Sequence, residues 1–174
     1  MTVYALSRAY KALLVEGNPY HIRITESMLR QCGVKTVIRA VNNGEAMQVL
    51  FEQKVDLVVC DYDVPADGGI GLLRTIRNRH VTPQYRVPVI VTCGSADIEK
   101  VTAARDAGAT EFLSKPFSAN LLWRALYSAL ENGRPFIESE SYVGPDRRRR
   151  DKQPASERRG RSRAARAAAV DEAE

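Results

Sequence analysis

A chain of 174 residues with 44% hydrophobic side chains has room for one ordinary domain and an appendage. No run of about 18 or more apolar residues occurs, so no membrane span is expected. Arg8 and Lys11 interrupt the N-terminal stretch where a signal peptide would need its apolar segment, so the chain is expected to be cytoplasmic.

Taken in order, "KALLV" (Lys11–Val15) reads as a short buried strand. Asn18 is placed to cap a helix with Pro19 at its first position. That helix carries Ile22, Met28 and Leu29 and stops at Gly33. "KTVIRAV" is a second strand, broken by "NNG", and "GEAMQVLFEQK" has helical spacing through Met47, Leu50 and Phe51. "VDLVVC" is a third strand, and "GIGLLRTIRNR" a helix with Leu72, Leu73 and Ile76 on one side. "VPVIVTC" is a fourth strand, followed by the helix "DIEKVTAARDAGA", which Gly108 stops. "TEFLSK" is a short fifth strand and "SANLLWRALYSALENG" a fifth helix. Strands that are apolar throughout rather than alternating are buried on both faces. The alternation therefore predicts an α/β fold, a doubly wound parallel sheet of five strands with helices on both sides and right-handed crossovers.

In open sheets of this kind ligands bind beyond the carboxyl ends of the strands. The residues there are Glu16, Asp61, Thr92 and Lys115. Two acids, a hydroxyl and an ammonium could hold one tetrahedral anion. Asp61 would be a nucleophile that captures a phosphoryl group covalently. A divalent cation on the acids would offset the charge of Asp61 and the donor, and Thr92 and Lys115 would each hold a phosphoryl oxygen. Cys32, Cys60 and Cys93 form no CxxC pair and lie far in sequence from His21 and His80, so they read as buried thiols rather than a zinc site. Both histidines read as surface residues, and Trp123 and Tyr127 as packing residues of the last helix.

From about Ala12 to Asn132 the chain resembles the receiver domain of bacterial two-component response regulators. The resemblance is carried by Asp61 in "VVCDYDVP", Thr92 in "VIVTCG" and Lys115–Pro116–Phe117 in "FLSKPF", with "DAGATEF" leading into the fifth strand. It implies a flavodoxin-like (β/α)5 sheet in the order 2-1-3-4-5. It also implies Asp61 as phosphoacceptor, with Thr92 and Phe112 as a switch pair, Phe112 being equally readable as core. A cis bond at Pro116 would aim Lys115 into the site. The implied partners are a histidine kinase or phosphotransfer protein, and a protein target bound through the fourth helix, fifth strand and fifth helix. Turnover as an enzyme is not expected.

Four positions, Gly17, Asp67, Gly68 and Gly94, depart from the family pattern. Gly17 stands where the second acid, a direct metal ligand, is expected; Mg2+ would then bind through Asp61, Glu16 and the Asp63 carbonyl, more weakly. Asp67 reads as a turn residue, and Gly94 leaves out a longer side chain two after Thr92. Two other functions fit less of the sequence. One is a degenerate receiver that docks proteins without phosphorylation. The other is a haloacid-dehalogenase-like phosphatase built on the Asp61-x-Asp63 pair, which needs a later acidic pair that only Asp171–Glu172 could supply.

The reading is thus a receiver domain over 10–133 and a basic, largely disordered tail over 134–174. Between Asp146 and Arg166 ten basic residues stand against three acids, an excess of seven against a whole-chain charge of +5. "RRRR" can neutralise nucleic-acid phosphates. Without aromatic residues past Tyr142 or a recognition fold, no specific DNA reading is expected and no nucleic-acid site residue is assigned.

Overall fold

The structure is a computed structural model and describes residues 6–148. Strands β1 (Tyr10–Val15), β2 (Val34–Ala40), β3 (Leu57–Asp61), β4 (Val89–Cys93) and β5 (Glu111–Ser114) alternate with helices α1 (Pro19–Gln31), α2 (Asn43–Glu52), α3 (Gly68–Arg77), α4 (Ile98–Asp106) and α5 (Ala119–Leu130). The strands form one parallel sheet in the order β2-β1-β3-β4-β5, as expected.

Every residue of β3 and β4 is buried, which is why these strands read as unbroken apolar runs. Strand side chains alternate between the two faces. Leu13 and Val15 join Val58, Cys60, Val89 and Val91 under α2, α3 and α4. Their neighbours Ala12 and Leu14 join Leu57, Val59 and Ile90 under α1 and α5, with Ile22, Leu29, Leu122 and Leu126. The helix starts are set locally. Asn18 Oδ1 accepts from Tyr20 N at 2.9 Å, with Pro19 next. Asn42, Asp97 and Ser118 cap α2, α4 and α5 in the same way.

After α5 the first part of the expected tail is ordered. Residues 136–145 form an antiparallel hairpin of β6 (Phe136–Glu138) and β7 (Val143–Pro145). It packs at the end of the sheet where β4 and β5 begin. Arg77, buried at the end of α3, donates to the carbonyls of Gly108, Tyr85 and Val87 at 2.7–2.9 Å, and its guanidinium stands 5.5 Å from the Phe136 ring centre. Burial pulls its pKa down to about 10, so it stays charged at neutral pH. Arg134 reaches the Thr110 and Asp146 carbonyls. Composition does not signal this order, because the hairpin has too few apolar residues for a core of its own and uses the domain's edge instead. The rest of the expected tail, from residue 149 onward, lies outside the described residues. So does the Asp171–Glu172 pair that a phosphatase reading requires.

Candidate functional site

Because all five strands run the same way, their carboxyl ends share one rim. There β1 hands over to Glu16, β3 ends in Asp61, β4 carries Thr92 as its next-to-last residue, and β5 runs into Lys115. Asp61 pairs with Thr92 in register, and Tyr62 N donates to the Thr92 carbonyl at 2.7 Å. Lys115 N donates to the Cys93 carbonyl at 2.7 Å, which continues β5 beside β4. The Lys115–Pro116 bond is cis.

The centre of the site is an ion cluster. Lys115 Nζ lies 2.7 Å from Glu16 Oε2 and 2.7 Å from Asp61 Oδ1. Glu16 is 4% exposed, Asp61 7% and Thr92 3%. The other oxygen of Glu16 accepts from Asn18 N at 2.9 Å, so the turn that caps α1 also orients this acid. Burial alone would pull the Lys115 pKa down, but its bonds to the two carboxylates outweigh that and hold it above the ordinary lysine value. Two carboxylates around one ammonium leave the cluster short of positive charge, which suits it to a further cation.

The cluster opens into a cleft of about 580 Å³, walled by Asp63, Pro65, His21 and Gly94 among others. His21, expected to be a plain surface residue, faces this cleft with Nδ1 3.5 Å from Glu16 Oε2. Nothing in the sequence marks it, since only the packing of α1 on the sheet brings it to the rim. His80 is exposed, as expected. Asp63 is exposed at the cleft wall, and Asp67 precedes α3 without a side-chain capping bond. Gly17 explains itself sterically. A Cβ there would lie 3.0 Å from Pro65 Cδ, so the proline ring crowds the space a second acid would need. At Gly94 a Cβ would meet nothing within 4 Å, so the space beside Thr92 stays open.

Thr92 is brought to the rim, but no hydrogen bond joins its hydroxyl to Asp61 or Lys115 among the described residues. Phe112 lies on β5 opposite Val91, one position before the partner of Thr92, and is half-buried against the α2–α3–α4 core. Trp123 packs on the other core face and stacks on Tyr127, ring centres 5.3 Å apart; Tyr127 is exposed. The three cysteines are free and buried. Cys60 is pushed far up by burial and then by Asp61 and Glu16, so it stays a thiol.

No group of three or more His, Cys, Asp or Glu side chains converges on a metal-holding position among the described residues. Glu16 and Asp61 are nonetheless hard oxygen donors, and Mg2+ commonly takes one or two carboxylates and keeps its waters. The donors present therefore fit a hydrated Mg2+ with fewer protein ligands than a site with an acid at position 17.

The profile of the response regulator receiver domain matches residues 12–127. The chain belongs to this family. Among curated relatives, the receiver is 29% identical over 126 residues to the chemotaxis protein CheY-3 of Vibrio cholerae, covering 72% of this chain and 95% of that one. It is 30% identical over 120 residues to a C4-dicarboxylate response regulator, DctR, of Priestia megaterium, covering 68% of this chain. There it spans about half, 51%, of the relative's length. Among solved structures, the receiver domain of a sensor histidine kinase of Pseudomonas aeruginosa, with a magnesium ion coordinated in its active-site cleft, is 28% identical, with a TM-score of 0.63. The alignment covers 71% of this chain and 98% of that one. CheY4 of Vibrio cholerae shares the fold at a TM-score of 0.64, covering 71% of this chain and all of that one.

Proposed function

We propose that this receiver is an aspartyl-phosphorylation switch of two-component signalling, with Asp61 as the phosphoacceptor. The observation that supports it best is the Lys115 ammonium shared between Glu16 and Asp61 at the mouth of an open cleft. Asp61 attacks the phosphorus of a phosphohistidine donor. The new O–P bond forms as the P–N bond breaks, and the electron pair leaves with the imidazole nitrogen. Lys115 turns from the carboxylate to an oxygen of the transferred group, and the Thr92 hydroxyl donates to another. Glu16, Asp61 and the Asp63 carbonyl would hold Mg2+, which supplies charge neutralisation between carboxylate and phosphoryl group.

Phosphorylation adds about 1.5 to 2 negative charges. Thr92 and Phe112, one register step apart on neighbouring strands, would convert that charge into a shift between two packings of the face made by α4, β5 and α5. The domain then signals by protein contact or passes the phosphoryl group on. It is an acceptor of a histidine kinase or phosphotransfer protein rather than an enzyme with turnover, and it works in the cytoplasm.

A second reading has one observation in its favour. Pro65 crowds the place of the missing acid at Gly17, as in a domain kept for docking rather than for metal-dependent phosphorylation. Mass spectrometry after exposure to acetyl phosphate with and without Mg2+ separates the two. The switch gains about 80 Da on Asp61 with Mg2+, loses that gain in Asp61→Asn, and changes Trp123 fluorescence with beryllofluoride. No mass gain under saturating Mg2+ leaves docking as the function.

A further inference from the structure

We propose that the end of the sheet opposite Asp61 is a docking face for the phosphate backbone of nucleic acid. This does not rest on the phosphorylation reading. Where β1, β2 and β3 begin, Arg8, Lys11, Lys35 and Lys54 line a cleft of about 340 Å³ in which Asp56 is the one acid. A second cleft of about 320 Å³ shares Arg8, Lys54 and Asp56 with it and runs on to Arg86. Arg8 pairs with Asp56 at 2.8 Å, and no ion pair holds Lys35 or Lys54, both exposed, among the described residues.

The hairpin extends this strip. Arg86 Nε donates to Glu138 of β6 at 2.8 Å. Past β7, Arg147 lies over the Tyr142 ring at 3.9 Å and bonds Asp106 at 3.1 Å, with Arg148 next. The hairpin therefore places Arg147 and Arg148 at the same end of the molecule as the lysine-lined clefts. The carboxyl rim, by contrast, carries Glu16, Asp61, Asp63, Asp67 and Asp97. A polyanion is steered to one pole and repelled by the other.

The clefts also narrow down the polyanion. A flat bilayer cannot enter a concave cleft, whereas a phosphodiester strand can follow one. Guanidinium groups fork onto phosphate oxygens, and ammonium groups serve as point charges for them. The rings of the two clefts are already engaged: Tyr10 is 4% exposed and covered by Arg8 at 4.3 Å, and Tyr85 stands edge-on to Phe136 at 6.2 Å with Arg86 over its face at 5.7 Å. The contact is therefore to the backbone and independent of sequence.

The test is fluorescence anisotropy of the full chain with a fluorescein-labelled DNA duplex of arbitrary sequence over a salt series. Binding is expected to weaken linearly in log affinity against log salt, by about 0.9 per phosphate contact. The double variant Lys35→Glu/Lys54→Glu is expected to lose about tenfold or more in affinity at low salt and to flatten the slope by about two contacts. The neutral Lys35→Gln/Lys54→Gln pair, with unchanged circular dichroism, should show a smaller loss in the same direction. Absence of duplex binding, affinity unchanged in both variants, or binding to phosphatidylserine vesicles without binding to the duplex overturns the proposal.

Discussion

Lys115 is the residue on which the site's electrostatics turn. Its ammonium bonds both Glu16 and Asp61 at 2.7 Å, whereas His21 reaches Glu16 alone, at 3.5 Å. Its folded pKa stands above the ordinary value. Its contribution to stability is thus fully present below the unfolded lysine value of about 10.4 and is lost as pH rises through the folded one. Removing the ammonium leaves two mostly buried carboxylates facing each other. Lys115→Met is expected to cost about 3 kcal/mol, the low end for a broken buried pair because the cleft admits water. Urea unfolding at neutral pH measures it, and an unchanged midpoint would refute the shared ion pair. Asp61 was legible because it closes a strand with a clear apolar signature, and Lys115 because a Lys-Pro pair follows the fifth strand. His21 was not, because its place at the cleft depends on how α1 lies on the sheet.

At the scale of elements, the α4–β5 turn and the hairpin hold one another. Gly108 has φ +93°, a conformation that costs an L side chain roughly 1 kcal/mol. A Cβ there would also lie 2.5 Å from the Val143 carbonyl oxygen of β7. On the facing side, a Cβ at Gly144 would lie 2.7 Å from Gly108 Cα. The two backbones are therefore in contact with no room for a methyl group. Gly108→Ala is expected to cost about 2 to 4 kcal/mol and to lift the hairpin. Amide exchange at Ile137 and Gly144, whose positions pair across β6 and β7, should quicken in the variant; exchange as slow as in the parent would mean the contact does not hold the hairpin. Gly108 was legible as a helix stop. Its second role, as the seat of the hairpin, was not, because the partner lies more than thirty residues downstream.

For the molecule as a whole, acid stability follows from pairs spread over its surface. Arg30 holds Glu26 below the ordinary glutamate value of 4.5, and Arg39 of β2 adds to this. Arg86 lowers Glu138, Arg105 lowers Asp106, and Ser7 lowers Glu131. A carboxylate with a lowered folded pKa contributes stability that is present above its unfolded value and lost as pH falls through the folded one. The receiver is therefore expected to lose stability progressively below about pH 4.5. Glu26→Gln should be less stable than the parent at neutral pH, and the gap should narrow as pH falls below about 4.5, as judged from urea midpoints over a pH series. A variant that tracks the parent at every pH would remove Glu26 from this account.

What the residue order determined by itself is local in origin. Apolar runs marked the central strands β1, β3 and β4 because both faces of the sheet are dry there, and Asn18–Pro19, Gly33 and Gly108 marked helix ends because capping and left-handed backbone act within a few residues. With the direction of the strands, this was enough to put Glu16, Asp61, Thr92 and Lys115 at one rim. The tertiary structure decided which atoms meet there: the ammonium shared between two acids, the imidazole beside Glu16, and the proline ring over Gly17. It also decided that residues 136–145 fold at all. That segment buries too little of its own apolar surface to signal order, and it is held by Arg77, Gly108 and Thr110, groups far from it in sequence.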